Sequence, residues 1–392
     1  MTLEKERNMG GKYWDKNKGS VSLDLPAETC ILSSGLNKCK CFRCSMKKQS
    51  KRNMWQLIYI GITIAVIVYL GISDNNFAKI QNSLATMNAN YLWICLGLMA
   101  GFFVINGLSM KYIGTIVGEK GKFLSMLKYA VIGEYYSALT PFASGGQPVQ
   151  VVYMKRDNMS IANATCILAI RYIAYNVAIC AFCIIMFVFR GAELYQMYSG
   201  IFWLTILGFV ITSASVILVF MIIIRKSWVV KVGNFFINLL KKIRIIKNYE
   251  KIQEKFDSTV EDFSAASDYI RHNKLKIVLN CLVCAAMIVC NFSVSYFIYR
   301  SFGLTEHSWL DLVTMQAFLY VTVAFVPTPG GSGAAEGGFS VFFSKFFSQD
   351  YIFSAMLLWR VITYFLIIAV GALTVIGDEL LRMRRSKQHV EE

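Results

Sequence analysis

Thr140-Pro141-Phe142-Ala143-Ser144-Gly145-Gly146-Gln147-Pro148 interrupts an apolar block that runs from Phe123 to Val152, and Pro327-Thr328-Pro329-Gly330-Gly331-Ser332-Gly333 interrupts a second that runs from Trp309 to Phe347. Proline removes a backbone donor and glycine weakens a helix, so neither block reads as one ordinary helix. Each is also too hydrophobic for a loop in water. Irregular backbone at membrane depth is tolerated only where protein or a wet cavity meets its polar groups. Each block therefore predicts a helical hairpin with its tip inside a membrane protein. Two independent Pro/Gly kinks in full spans are the plainer alternative, and would reverse the orientation of some segments.

Outward from these blocks the apolar segments are unbroken: Met54 to Ile72, Tyr91 to Val117, Ile161 to Phe189, Ile201 to Ile224, Ile277 to Tyr299 and Tyr351 to Gly377. Each has the length of one bilayer crossing. No apolar stretch at the start has the form of a cleavable signal, so Met54 to Ile72 reads as a retained span. The whole chain agrees: 392 residues, 56% hydrophobic and only 16% charged, with a mean hydropathy of +0.49, where a soluble chain carries roughly 25% charged residues. Disorder, coiled coil and disulfide scaffold fail on the same composition. The expected fold is an all-α polytopic membrane protein with about six full transmembrane helices and two re-entrant hairpins. The net charge of +16 has no soluble basic domain to present it, so no nucleic-acid partner is expected, and the charge reads as topology and anionic-lipid contact.

Lys and Arg occupy twelve positions in residues 1–53, eleven between Arg225 and Lys274, and four after Gly377 (Arg382, Arg384, Arg385, Lys387), against one each in 73–90, 190–200 and 300–308. The positive-inside rule makes the first set cytoplasmic, with both termini, and the second external. Parity then has the first hairpin enter and leave on the cytoplasmic side, and the second on the outer side. Opposed hairpins flanked by spans predict an inverted repeat, with units of roughly 91–189 and 277–377. The domain division is a basic, largely disordered leader (1–53), a membrane domain (54–377) with a cytoplasmic amphipathic helix pair at 225–274, and a basic tail (378–392). A simple topological charge cluster explains 225–274 equally well.

Charges inside apolar segments are functional candidates, because each costs several kcal/mol unless paired or wetted. Arg171 and Arg360 lie within spans, Glu134 precedes the first tip, and Glu336 follows the glycines of the second. Two cations near two acids would suit a phosphate headgroup, or would be Arg/Glu pairs that lock helices together. Gly145, Gly146, Gly330 and Gly331, with Gln147 and Ser332, would let backbone amides at half-helix N-termini cradle a phosphodiester, while glycine also serves close helix packing. The three histidines, His272, His307 and His389, are too far apart for a local metal pair, and no nucleophile motif appears. No catalytic residue and no cofactor are expected. Cys30, Cys39, Cys41 and Cys44 offer a loosely spaced zinc set, with free thiols or lipidation as plainer readings.

Gly133 through Gln150, Val326 through Glu336, and Leu358-Trp359-Arg360-Val361-Ile362-Thr363-Tyr364, in that order, resemble the transmembrane part of the bacterial lysylphosphatidylglycerol synthase/flippase family, over roughly residues 55–380. The resemblance implies a multi-pass protein of the bacterial plasma membrane that handles phospholipid headgroups. In the family a membrane flippase moves aminoacylated phosphatidylglycerol, a separate domain makes it from lysyl-tRNA, and the outcome is resistance to cationic peptides. Two departures stand out. Only fifteen residues follow Gly377, so no aminoacyl-transferring domain is expected, and Ile170 stands where the family often has an acid beside the arginine matching Arg171. The expected function is therefore a flippase-like handler of anionic or aminoacylated lipid, in which Arg171 and Arg360 contact phosphate. The alternative is a phosphatidylglycerol lysyltransferase working with a separate soluble partner. A homo-oligomer is compatible with either.

Overall fold

The computed structural model describes residues 13–15, 20–22, 76–197, 199–242, 249–324 and 326–391. The expected span Met54 to Ile72 and the leader cysteines Cys30, Cys39, Cys41 and Cys44 lie outside the described residues. The chain divides into Met1–Tyr59 and Ile60–Glu392. In the first unit, β1 (Tyr13–Asp15) pairs antiparallel with β2 (Ser20–Ser22), Tyr13 opposite Ser22.

The second unit is helical. After the short α1 (Asn76–Thr86) come α2 (Asn90–Val117), α3 (Phe123–Ala138), α4 (Gly146–Arg156), α5 (Ile161–Met197) and α6 (Ser199–Lys242). Then follow α7 (Tyr249–His272), α8 (Lys274–Ser301), α9 (Trp309–Val323), α10 (Ala334–Phe342), α11 (Ile352–Arg360) and α12 (Leu366–Glu391), the last two joined by a π-helical turn, Val361–Phe365. Among the described residues four helices are long and apolar enough to cross a membrane: Asn90–Val117, Ile161–Ala192, Lys274–Ser301 and Ile352–Arg384. The segment expected as a span at Ile201 to Ile224 holds a shorter apolar stretch, Phe202–Leu218, inside a much longer helix. Within the segment 225–274, α6 runs on to Lys242 and α7 follows as a separate helix. Both broken blocks form a helix, a tight tip and a second, shorter helix.

The tips share one backbone path over 140–143 and 328–331 and diverge at Ser144 and Ser332. Thr140 (φ −120°, ψ 142°) and Thr328 (φ −114°, ψ 147°) are extended, the prolines open one turn of 3-10 helix, and Phe142 (φ 54°) and Gly330 (φ 59°) then turn left-handed. Ser144 Oγ donates to the Pro141 carbonyl at 2.9 Å, and Ser332 Oγ to the Pro329 carbonyl at 3.0 Å. The turn suits glycine at 330. Phe142 adopts the same region with a side chain, a conformation costing of order 1–3 kcal/mol that persists only where the surroundings impose it. The two tips pack against each other.

α2 and α8, each of 28 residues, lie side by side as the most extensive helix pair, and α3 is wedged between α2 and α12. Glycine permits this closeness. A Cβ on Gly107 of α2 would meet Leu127 Cα at 2.9 Å, and one on Gly371 of α12 would meet Tyr135 Cβ at 2.3 Å. With lipid outside, helices associate through such packing and through polar contacts rather than through the hydrophobic effect. The outward faces are correspondingly apolar and open, as at Trp93 (72% exposed). Behind them, Phe339 stacks between Phe343 and Trp359 at 4.4 and 5.1 Å.

Charge clusters tie each hairpin's base to the other half. Lys128 of α3 reaches Asp157 at 2.7 Å and Asp378 of α12 at 2.8 Å, and Arg382 pairs with the same two carboxylates. At the start of α9, Asp311 pairs with Arg190 of α5 at 2.6 Å. Burial by itself would raise the Asp157 carboxyl, but hydrogen bonds from Lys128, Tyr129 and Arg382 hold it below its ordinary value.

Two outcomes follow from this packing. Gly107→Ala should lower the thermal midpoint in detergent by the equivalent of about 1–3 kcal/mol, because overpacking outweighs the helix propensity gained. Gly97→Ala, with nothing within 4 Å of the added carbon, should be neutral or slightly stabilising. For Asp157 the folded value lies below the unfolded one, so its stabilisation is complete above the unfolded value and disappears as pH falls through the folded one. The wild-type midpoint should therefore drop between about pH 5 and pH 3, while Asp157→Asn starts lower at neutral pH and falls less steeply.

Candidate functional site

Arg360 ends α11 just where the π turn begins, and the residue is 3% exposed. Single π turns inside α-helices mark functional sites often enough to direct attention here. A guanidinium in an apolar interior needs a carboxylate, and α10 supplies Glu336, with Nε and Oε1 at 2.9 Å in an ion pair without an aligned hydrogen bond. Nη1 donates to the Gly330 carbonyl at 3.2 Å, and the Trp359 and Tyr364 rings flank the cation at 5.0 and 5.2 Å. Nη2 is buried and has no partner.

A second pair involves Arg171 of α5. Its Nη2 reaches Glu134 Oε1 of α3 at 3.2 Å, and its Nε donates to Asn106 Oδ1 of α2 at 2.9 Å. Asn106, fully buried, also donates from Nδ2 to Glu134 Oε1 at 2.9 Å. The missing acid beside Arg171 is thus replaced by one from the facing helix. This pair is wetter than the other, with side chains 15% and 26% exposed against 4% and 9% for Arg360 and Glu336.

Beside the meeting tips lies a cavity of about 310 Å³. Of the residues expected to bind substrate, Glu134, Gly330, Gly331 and Arg360 line it. Arg171 and Glu336 stand behind that wall as ion-pair partners. Gly145, Gly146, Gln147 and Ser332 are not among its lining residues. Gly146 is needed for packing, since a Cβ there would lie 2.6 Å from the Gly133 carbonyl oxygen, and a Cβ on Gly145 would lie 2.6 Å from Thr140 Cγ2. Gln147 is exposed on α4, and the Ser332 hydroxyl is bound to the Pro329 carbonyl.

The expected amide cradle is also changed. The Gly145 N–H donates to Thr140 Oγ1 at 2.8 Å and the Gly333 N–H to Glu336 Oε2 at 2.6 Å, so the starts of both short helices already hold acceptors. Sequence reasoning centred on ionisable groups also missed neutral amides, of which Asn106 bridges one ion pair and Gln316, 3% exposed, lines the cavity. An amide inside an apolar helix was the available signal. Among the described residues no group of His, Cys, Asp and Glu is placed to hold a metal ion.

Breaking the drier pair from one side strands a charge. Arg360→Gln or Glu336→Gln alone should lower stability by about 3–5 kcal/mol. The double variant should melt above either single one, and a simple sum of the two losses would refute the coupling.

The family described as "Lysylphosphatidylglycerol synthase TM region" matches residues 56–371, a stretch that contains both tips and both ion pairs. A UPF0104 membrane protein of Archaeoglobus fulgidus is 26% identical over 331 residues, covering 81% of this chain and 95% of that protein. The resemblance seen at Gly133 to Gln150, Val326 to Glu336 and Leu358 to Tyr364 thus extends over most of the chain, which belongs to the lysylphosphatidylglycerol synthase transmembrane-region family.

Proposed function

We propose that this protein is a phospholipid translocase, flippase-like, that carries an anionic or aminoacylated headgroup such as that of phosphatidylglycerol through the cavity at the meeting tips. The observation that carries the reading is Arg360: a buried guanidinium with an unpartnered donor, on the wall of a cavity in a chain whose described residues include four membrane-length helices. Such a group binds phosphate oxygen well and is costly to keep for packing alone.

In this reading the hairpins are re-entrant. α3 and α4 have 16 and 11 residues, and α9 and α10 have 15 and 9, so the longest arm measures about 24 Å. That falls short of a hydrocarbon layer of about 30 Å. Opposite entry is supported by the clusters at the two bases, since the first hairpin is tied to Arg382 of the basic tail and the second to Arg190 at the far end of α5. An inverted repeat is supported by register. Counted from the tips, Arg171 falls on Trp359, one residue from Arg360. Each half thus contributes one arginine, held by a carboxylate from a hairpin arm. Rocking of one half against the other would expose the tips to each side in turn. Within the cavity, headgroup phosphate would take the open face of Arg360 while Glu336 keeps the cation from an unpaired state when the site empties.

The test is reconstitution into phosphatidylglycerol-containing liposomes with lipids labelled on the headgroup. Wild-type protein should move label between leaflets, and Arg360→Ala should slow it by at least about tenfold, the loss of one charged contact. Absence of movement for every headgroup would overturn the reading, as would a new aminoacyl lipid made by the protein alone.

A further inference from the structure

Apart from Arg360 Nε, which faces Glu336 in the ion pair, three polar atoms on the cavity's wall residues are buried without any hydrogen-bond partner: Arg360 Nη2, Trp359 Nε1 and Gln316 Oε1. Their residues are 3%, 6% and 3% exposed. An orphaned polar atom costs about 1–3 kcal/mol in a protein interior, and natural structures carry few of them. Three around one cavity of about 310 Å³ call for an occupant that satisfies all of them. Their chemistry is split. The guanidinium and the indole only donate, whereas the free amide oxygen of Gln316 only accepts. An anion alone answers the first two and leaves the third unmet.

We infer that the cavity selects a phospholipid headgroup carrying an O–H or N–H donor beyond its phosphate, with phosphate oxygen on Arg360 and Trp359 and the distal donor on Gln316, which makes Gln316 the specificity-determining residue. This deepens the translocase reading and rests on it. Phosphoglycerol and phosphoethanolamine headgroups meet the requirement. Phosphatidylethanol has the same charge as phosphatidylglycerol but no hydroxyl, and so isolates the contribution of the distal donor.

The experiment measures equilibrium binding of short-chain phosphatidylglycerol and phosphatidylethanol to the full chain in detergent. Binding is followed by the indole fluorescence and checked by native mass spectrometry. Wild-type protein should prefer phosphatidylglycerol by about tenfold, the worth of one hydrogen bond. Gln316→Leu should bring the ratio close to one while phosphatidylethanol affinity stays within about twofold. Gln316→Glu keeps an acceptor and should move the preference toward phosphatidylethanolamine. Should Gln316→Leu fail to fold, Gln316→Met replaces it, and the wild-type ratio alone still decides. Equal wild-type affinities, or a ratio unchanged by removing the amide, would overturn the inference and leave translocation to the liposome assay. Binding of neither lipid would mean that water satisfies the three atoms and would overturn both.

Discussion

A guanidinium enclosed by apolar side chains must be given a carboxylate and acceptors by whatever surrounds it, and the second hairpin is arranged around meeting that demand for Arg360. Glu336 serves twice, pairing with the guanidinium through Oε1 and capping the start of α10 through Oε2. The tip presents the Gly330 carbonyl to Nη1, which requires the left-handed turn at that residue. A Cβ there would also collide with Tyr364 at 2.1 Å. One charge therefore holds together the tip, the short arm and the last span.

The first hairpin meets the same demand by a different route. Arg171 is reached by Glu134 and Asn106, so three helices, α2, α3 and α5, converge on it. Its greater exposure makes this the looser of the two centres, whereas the Arg360 pair is nearly dry. Desolvation makes a buried pair costly in net terms, and well-packed apolar residues often serve stability better. Retention of two such pairs beside a cavity is the pattern expected of groups kept for what they bind.

Much of this was legible in the sequence because the membrane imposes simple rules. Hydropathy blocks located the long helices at Tyr91, Ile161, Ile277 and Tyr351 to within a few residues, and Thr-Pro followed by small residues located both tips. Pairings were not legible, since Glu134 and Arg171, or Asn106 and Arg171, lie far apart in sequence and meet only across a helix interface. The glycines were ambiguous for a physical reason: absence of a Cβ serves a ligand, a left-handed turn or a close helix contact equally well. Gly330 serves the turn and Gly146 the contact. The length of α6 was missed because hydropathy records where a helix leaves the apolar layer, not where it ends.

The contact between the tips has a consequence for how the chain is made. The first tip bonds its own hydroxyls and turn, but the tip it packs against is not synthesised until residues 329–331 emerge. At translation rates of about 5–20 residues per second, the wait is about 10 s or longer. Lys128 and Asp157 wait longer still for Asp378 and Arg382. During that interval the half-built membrane domain must be sheltered by the insertion machinery or held at its edge.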